Sequence, residues 1–190
     1  NEKVESGELE ESKQFWLKTY SDIPDYLELP LDYSRPSLKS YNGSRHTEVI
    51  DRKIAEQLRV LAKQQNCTLF VVLLACFNVL LAKLSGQKDL VVGIPVAGHP
   101  NIGMPDLVAH NVSFLPFRTK INVKQSFTQL LQDVRNQFAD AKGHQDFSYG
   151  ALLQSLKLPR DPGKMPLAPV SFNMDLAMSP LWFEKNRARY

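Results

Sequence analysis

The sequence predicts an α/β fold, a layered sandwich of a mixed sheet with helices, and two stretches carry that reading. The first is the nearly unbroken apolar run Leu69 to Leu81, in which only Asn78 is polar. It is too long for an ordinary strand, and Thr68 stands where an N-cap hydroxyl would meet the free amides of a first turn. The second is the short, β-branched run Leu90 to Val96, which suits a strand buried on both faces. A helix buried all round, ended at Gly86 and feeding a buried strand, implies layers around one core. A membrane span needs roughly twenty apolar residues, and Lys83 interrupts this run too early.

In order along the chain, residues 1–11 are rich in glutamate and read as a flexible lead-in, with structure starting near Ser12. Phe15, Trp16 and Tyr20 share the spacing of one short amphipathic helix, limited by Pro24. From Pro24 to Gly43 three prolines and many turn formers predict an extended surface tether. A strand is expected at about His46 to Ile50. Asp51 can cap a surface helix over residues 52–64, whose apolar stripe is Ile54, Leu58 and Leu61. Residues 68–85 form the central helix and residues 89–95 a strand. Residues 108–118 form a second strand, in which Val108, His110, Val112 and Phe114 face one way and Asn111, Ser113 and Leu115 the other. Ser126 and Gln129 form a capping-box pattern that opens a helix over 126–142, closed by Gly143. A short helix follows from Tyr149 to Leu156. The alternation of Val170, Phe172, Met174 and Leu176 with polar residues predicts a strand over 169–176 with one face buried. Residues 181–190 read as a tail.

Composition narrows the function. The chain has 190 residues, is 43% apolar and carries a net charge of +3, too small to indicate a nucleic-acid partner. Lys185, Arg187 and Arg189 read as a solvated terminus. Cys67 and Cys76 read as buried free thiols, in keeping with a reducing cytoplasm. The acidic, polar start shows no signal peptide. None of the four histidines has a metal-ligand spacing with the cysteines, and GxGxxG, Walker and GxSxG motifs are absent from the sequence. Two histidines stand in settings that could carry chemistry. His144 heads a His144-Gln145-Asp146 cluster whose carboxylate could orient the ring, although a structural hydrogen-bond role is favoured. His110 lies in an apolar run, where a satisfied core histidine is the commoner case.

Several motifs together resemble a known family. An FW pair near the start, LPLDYSRP, TLFVVLLACFNVLLAKLSGQKDLVVGIPVAG, LVAHNVSFLPFR, SFTQLLQDVR, GHQDFSYGALLQSL and LPRDPGKMPLAPVSFNMD follow the order of the C-terminal half of condensation domains from nonribosomal peptide synthetases, over about residues 12–176. The resemblance implies a half-domain with the chloramphenicol acetyltransferase-like fold, residues 12–180 being the partial C-terminal lobe. Its partners would be the N-terminal lobe, peptidyl or acyl carrier proteins and adjacent synthetase modules, with no nucleic acid and no membrane. It implies no directly bound cofactor, the substrates arriving as thioesters on carrier phosphopantetheine arms, and amide formation as the reaction.

The family's His-His-x-x-x-Asp-Gly motif does not occur in this sequence, so no catalytic residue is assigned and the chain alone is expected to be inactive. The matched segment makes His110, Asn111 and Ser113 tunnel-lining or supporting residues, with Ser113 where the family usually has asparagine. His144, Gln145, Asp146, Arg160 and Asp161 match motifs that look chiefly structural in the family, and Ser148, Tyr149 and Gly150 replace the usual Pro-Phe-Glu. The competing reading is a noncatalytic carrier-binding or interaction module. An independent acyltransferase using His110 or His144 is the least favoured. A lobe without its partner exposes apolar surface, so self-association through the tether is a further expectation.

Overall fold

The computed structural model describes residues 7–40, 42–97, 112–159 and 161–175, and the backbone of 182–183 and 186–187. Its elements are α1 (Glu8–Thr19), α2 (Arg52–Gln64), α3 (Leu69–Ser85), β1 (Asp89–Ala97), β2 (Val112–Lys120), α4 (Phe127–Gly143), α5 (Tyr149–Leu156), β3 (Val170–Ser171), β4 (Trp182–Phe183) and β5 (Asn186–Arg187). The main sheet has the order β2-β1-β3, antiparallel between β1 and β2 and parallel between β1 and β3, so it is mixed. β4 and β5 pair antiparallel, where the sequence reads only as a tail.

Two helical layers cover the sheet. Phe117 meets Phe138 of α4 and Thr119 meets Asn78 of α3 on one face, while Phe114 meets Tyr149 of α5 and Arg118 reaches the C-terminal end of α1 on the other. Because strand side chains alternate, odd positions of β2 belong to the first face and even positions to the second. Leu90, Val91, Val92 and Ile94 of β1 are all buried, as expected for a strand covered on both sides. Pro95 pairs with Phe114 on the β2 side, and the β3 ladder reaches only Val92 and Gly93, so the missing N–H of Pro95 interrupts no described ladder.

The caps follow the sequence. Asp51 accepts from the amides of Lys53 and Ile54, Thr68 from Val71, and Ser126 and Gln129 complete a reciprocal capping box. Gly86 closes α3 in the left-handed region, at φ 72°.

Several expectations are corrected. α1 begins at Glu8, four residues before Ser12, because Glu8, Glu10 and Glu11 place their charge at the positive end of the helix. His46–Ile50 forms no strand: it is exposed throughout and no described segment pairs with it. The strand expected over 169–176 shrinks to Val170–Ser171. Phe172 still donates its amide to the Gly93 carbonyl at 2.9 Å, residues 173–175 leave the ladder and Leu176 lies outside the described residues. α4 includes Gly143 and is capped by His144, whose ring is held against α1.

α3 is not buried all round, since Cys76, Leu80 and Leu84 form an exposed stripe and only the opposite side packs on the sheet and α4. Cys76 is therefore an exposed thiol and Cys67 a half-buried one, where both were expected inside. Among its described residues the tether contains no helix or strand, but it is fastened to the rest of the chain. Leu27 is buried, the Glu28 amide donates to Gln87 Oε1 at 2.9 Å, and Gln87 Nε2 donates to the Tyr26 carbonyl at 3.0 Å.

Candidate functional site

Of the sequence-predicted wall residues, Ser113 lies at the opening end of β2. Ser113 is half-buried and pairs in register with Val96, on the same face as Leu115, Phe117 and Thr119. His110 and Asn111 precede the strand and lie outside the described residues. Behind Ser113, on the opposite face, the Phe114 ring covers Gly93: a Cβ added at residue 93 would lie 1.8 Å from Phe114 Cζ. Phe114 also makes an edge contact with Tyr149, ring centroids 5.0 Å apart, and Tyr149 Oη donates to the Pro166 carbonyl. Burial pushes the Tyr149 phenol up, against the lowering effect of a backbone hydrogen bond. This aromatic pair links the opening of β2 to α5 and to the turn before β3.

The His144-Gln145-Asp146 cluster sits at the corner between α4 and α5. The His144 ring stacks on Phe15 with centroids 4.2 Å apart, its Nδ1 is 3.2 Å from Ser12 Oγ, and its carbonyl accepts from Trp16 Nε1 at 2.8 Å. Gln145 is buried, and its Oε1 has no hydrogen-bond partner. Asp146 is exposed. The geometry joins the corner to α1. It brings none of the three toward Ser113 by any described contact.

Asp161 lies in the following turn, where its Oδ1 accepts the Gly163 amide at 2.8 Å; Arg160 lies outside the described residues. The turn, α5 and the tether enclose a cleft of about 740 Å³ lined mainly by apolar groups, among them Ile23, Leu153, Met165 and Leu167. One rim is a latch in which Lys164 donates to Glu28 at 2.9 Å and its ammonium lies 4.4 Å from the Tyr26 ring centroid. The Lys39 amide donates to the Pro162 carbonyl, and a Cβ on Gly163 would stand 3.0 Å from the Pro36 carbonyl oxygen. Glycine at 163 allows that close approach of the tether.

Arg118 is the functional-looking residue that sequence reasoning missed. Only 5% of its side chain is exposed, yet it grips two carboxylates. Its Nε and Nη2 donate to Asp89 at 2.9 and 2.6 Å, and Nη1 and Nη2 donate to Asp22 at 2.9 and 3.1 Å. Nη1 also donates to the carbonyls of Thr19 and Asp22. Hydrogen bonds from Arg118 and then Lys120 hold the Asp22 carboxyl well below the usual carboxylate range, and the bonds to Asp89 raise Arg118 against the opposing effect of burial. Nearby, Tyr20 donates to the Pro116 carbonyl at 2.7 Å, and burial pushes its phenol far up. The available signal was a lone arginine in an apolar strand, which needs partners; its partners are too distant in the chain for spacing to reveal them.

Among the described residues no group of histidine, cysteine and carboxylate side chains is placed to hold a metal ion, and no single helix is long and apolar enough to cross a membrane.

Comparison with known proteins agrees with this architecture. The family model of the condensation domain matches residues 1–187. Tyrocidine synthase 2 of Brevibacillus parabrevis is 38% identical over 168 residues, 88% of this chain and 5% of that protein. Gramicidin S synthase 2 of Brevibacillus brevis is 33% identical over 174 residues, 92% of this chain and 4% of that protein. The chain thus spans a small part of the length of these relatives. Among solved structures, a four-domain nonribosomal peptide synthetase bound to AMP and glycine superimposes with a TM-score of 0.84 at 29% identity, over 87% of this chain and 13% of that one. The X-domain from teicoplanin biosynthesis shares the fold, with a TM-score of 0.81 at 19% identity over 90% of this chain and 39% of its own. The mixed sheet between two helical layers and the match along nearly the whole chain agree with the motif order, and the chain belongs to the condensation-domain family of nonribosomal peptide synthetases.

Proposed function

We propose that this chain is the C-terminal lobe of a condensation domain and supplies one wall of the tunnel in which carrier-bound thioesters are joined in a cytoplasmic synthetase. The observation that carries the reading is the family match over residues 1–187. In the reaction the amine of the downstream aminoacyl thioester attacks the carbonyl of the upstream thioester. A C–N bond forms, the C–S bond breaks, and the proton lost by the amine balances the one gained by the released pantetheine thiol. The phosphopantetheine arms belong to the carrier proteins and enter as part of the substrates. Ser113 and the segment before it, with His110 and Asn111, are the wall residues in this reading. His144, Gln145, Asp146, Arg160 and Asp161 are structural residues in this reading.

A base or charge stabiliser contributes about 10²–10⁴-fold to such a step, and the His-His-x-x-x-Asp-Gly string is not in these residues. The chain therefore forms no amide alone. The second reading, a noncatalytic carrier-binding or interaction module, is favoured by one observation, the Ser113 hydroxyl in place of a carboxamide.

The test mixes the 190-residue chain with a separately made lobe carrying the histidine motif and two loaded carriers, and follows product by mass spectrometry. Amide that needs both lobes supports the first reading. Carrier binding without product, unchanged by Ser113→Asn, supports the second. Product from this chain alone, lost in His144→Ala, would defeat both.

A further inference from the structure

A second concavity includes none of the wall residues named above. The C-terminal end of α3, the start of β1, the chain leaving β2 and the start of α4 enclose a groove of about 460 Å³, within the range of about 300–1,000 Å³ typical of small-molecule sites. Its floor is apolar, built from Val79, Ala82, Ile121 and Leu130, and Val123 and Phe127 form its open rim at 69% and 38% exposure.

The polar groups around this floor are strongly biased. Lys83 and Lys88 both line the groove, both are exposed, and neither enters a hydrogen bond through its ammonium or an ion pair among the described residues. No carboxylate lines it. The larger cleft beside the tether lacks this bias, since Lys164 is paired with Glu28 there and Asp161 already accepts a backbone amide.

We propose that this groove binds an apolar anion, specifically a medium-chain carboxylate whose alkyl chain lies on the Val79–Ile121 floor and whose head meets Lys83 and Lys88. The apolar floor supplies affinity, and the two cations supply selectivity for negative charge.

The probe is sodium decanoate below its micellar concentration, titrated into the 190-residue chain and followed by amide chemical shifts, with decanol and decylammonium as parallel arms. Decanoate is expected to move the amides of Val123 and Phe127 saturably, and the two other amphiphiles to bind at least about tenfold more weakly, the worth of one hydrogen bond to a charged group. The double variant Lys83→Glu, Lys88→Glu changes only exposed side chains and should reverse the preference between decanoate and decylammonium. Equal binding of the three amphiphiles, shifts that ignore the charge reversal, or no saturable shift with decanoate would each overturn the proposal.

Discussion

The guanidinium of Arg118 and the carboxylate of Asp22 meet in a two-point fork, 2.9 and 3.1 Å, across 96 positions of sequence. The same guanidinium forks to Asp89, so the end of α1 and the start of β1 share one buried cation of β2. Arg118→Met strands two carboxylates, and because both are partly solvated the expected loss is about 2–4 kcal/mol, below or near the range for a fully buried pair. Asp22→Asn should cost less, since Asp22 is two-thirds exposed. The Asp22 carboxyl is held below its ordinary value of about 3.9, so its contribution is fully present above that pH and is lost as pH falls toward the folded-state value. Urea titrations from pH 6 down to pH 2.5 should show a gap between wild type and Asp22→Asn that closes with acid. A gap that widens with acid would refute the assignment.

Gly93 is required by space and not by backbone conformation. Gly93→Ala forces the Phe114 ring off the sheet and is expected to cost about 1–3 kcal/mol as an overpacking change. Phe114→Leu in the same chain should recover part of that loss. Equal denaturation midpoints for Gly93→Ala with and without the second change would show that the ring is not the obstacle.

Asn78 and Thr119 form a buried polar pair, Nδ2 to Oγ1 at 3.0 Å, and Asn78 Oδ1 has no partner. Asn78→Leu alone strands the Thr119 hydroxyl, at an expected cost of about 1–3 kcal/mol. Adding Thr119→Val removes both polar groups, and the double variant should return to near wild-type stability or exceed it. A double-mutant cycle by chemical denaturation measures this directly. Strictly additive losses would contradict it.

Gln87 holds the tether from both sides, accepting the Glu28 amide and donating to the Tyr26 carbonyl. Hydrogen exchange should show a protected Glu28 amide in the wild type and a fast one in Gln87→Ala, with little change in the β1 amides. With the tether fastened in this way, light scattering over a concentration series should give a constant monomer mass. A mass that grows with concentration while Glu28 becomes unprotected would restore the exchange of arms between two copies.

The sequence was most legible where a segment answers to its own neighbours. α2, α3, α4 and α5 could be bounded to within a residue because Asp51, Thr68, Ser126 and Ser148 cap them locally. β1 was legible because burial on both faces leaves an unbroken apolar run. Legibility failed where the answer depends on distant chain. Val170–Ser171 pairs only with Val92 and Gly93, and residues 173–175 alternate in sequence without joining that ladder. The tether looked free because its fasteners, Gln87, Pro162 and Lys164, lie far along the chain. Of the wall residues only Ser113 falls on described structure, whereas the Arg118 fork could not be read at all, since its two aspartates carry no local signature.

The latch between Glu28 and Lys164 also sets an order of events at the ribosome. The two residues are 136 positions apart. At about 5–20 residues per second, Lys164 is made roughly 7–27 s after Glu28. Throughout that interval the tether has no Lys164 to grip and no Pro162 carbonyl for Lys39, and α1 likewise has no His144 to stack on Phe15. Until the turn before β3 has emerged, this part of the chain is held only by earlier fasteners such as Gln87 and Arg118, and nascent-chain proteolysis should find it more readily cleaved before that point than after it.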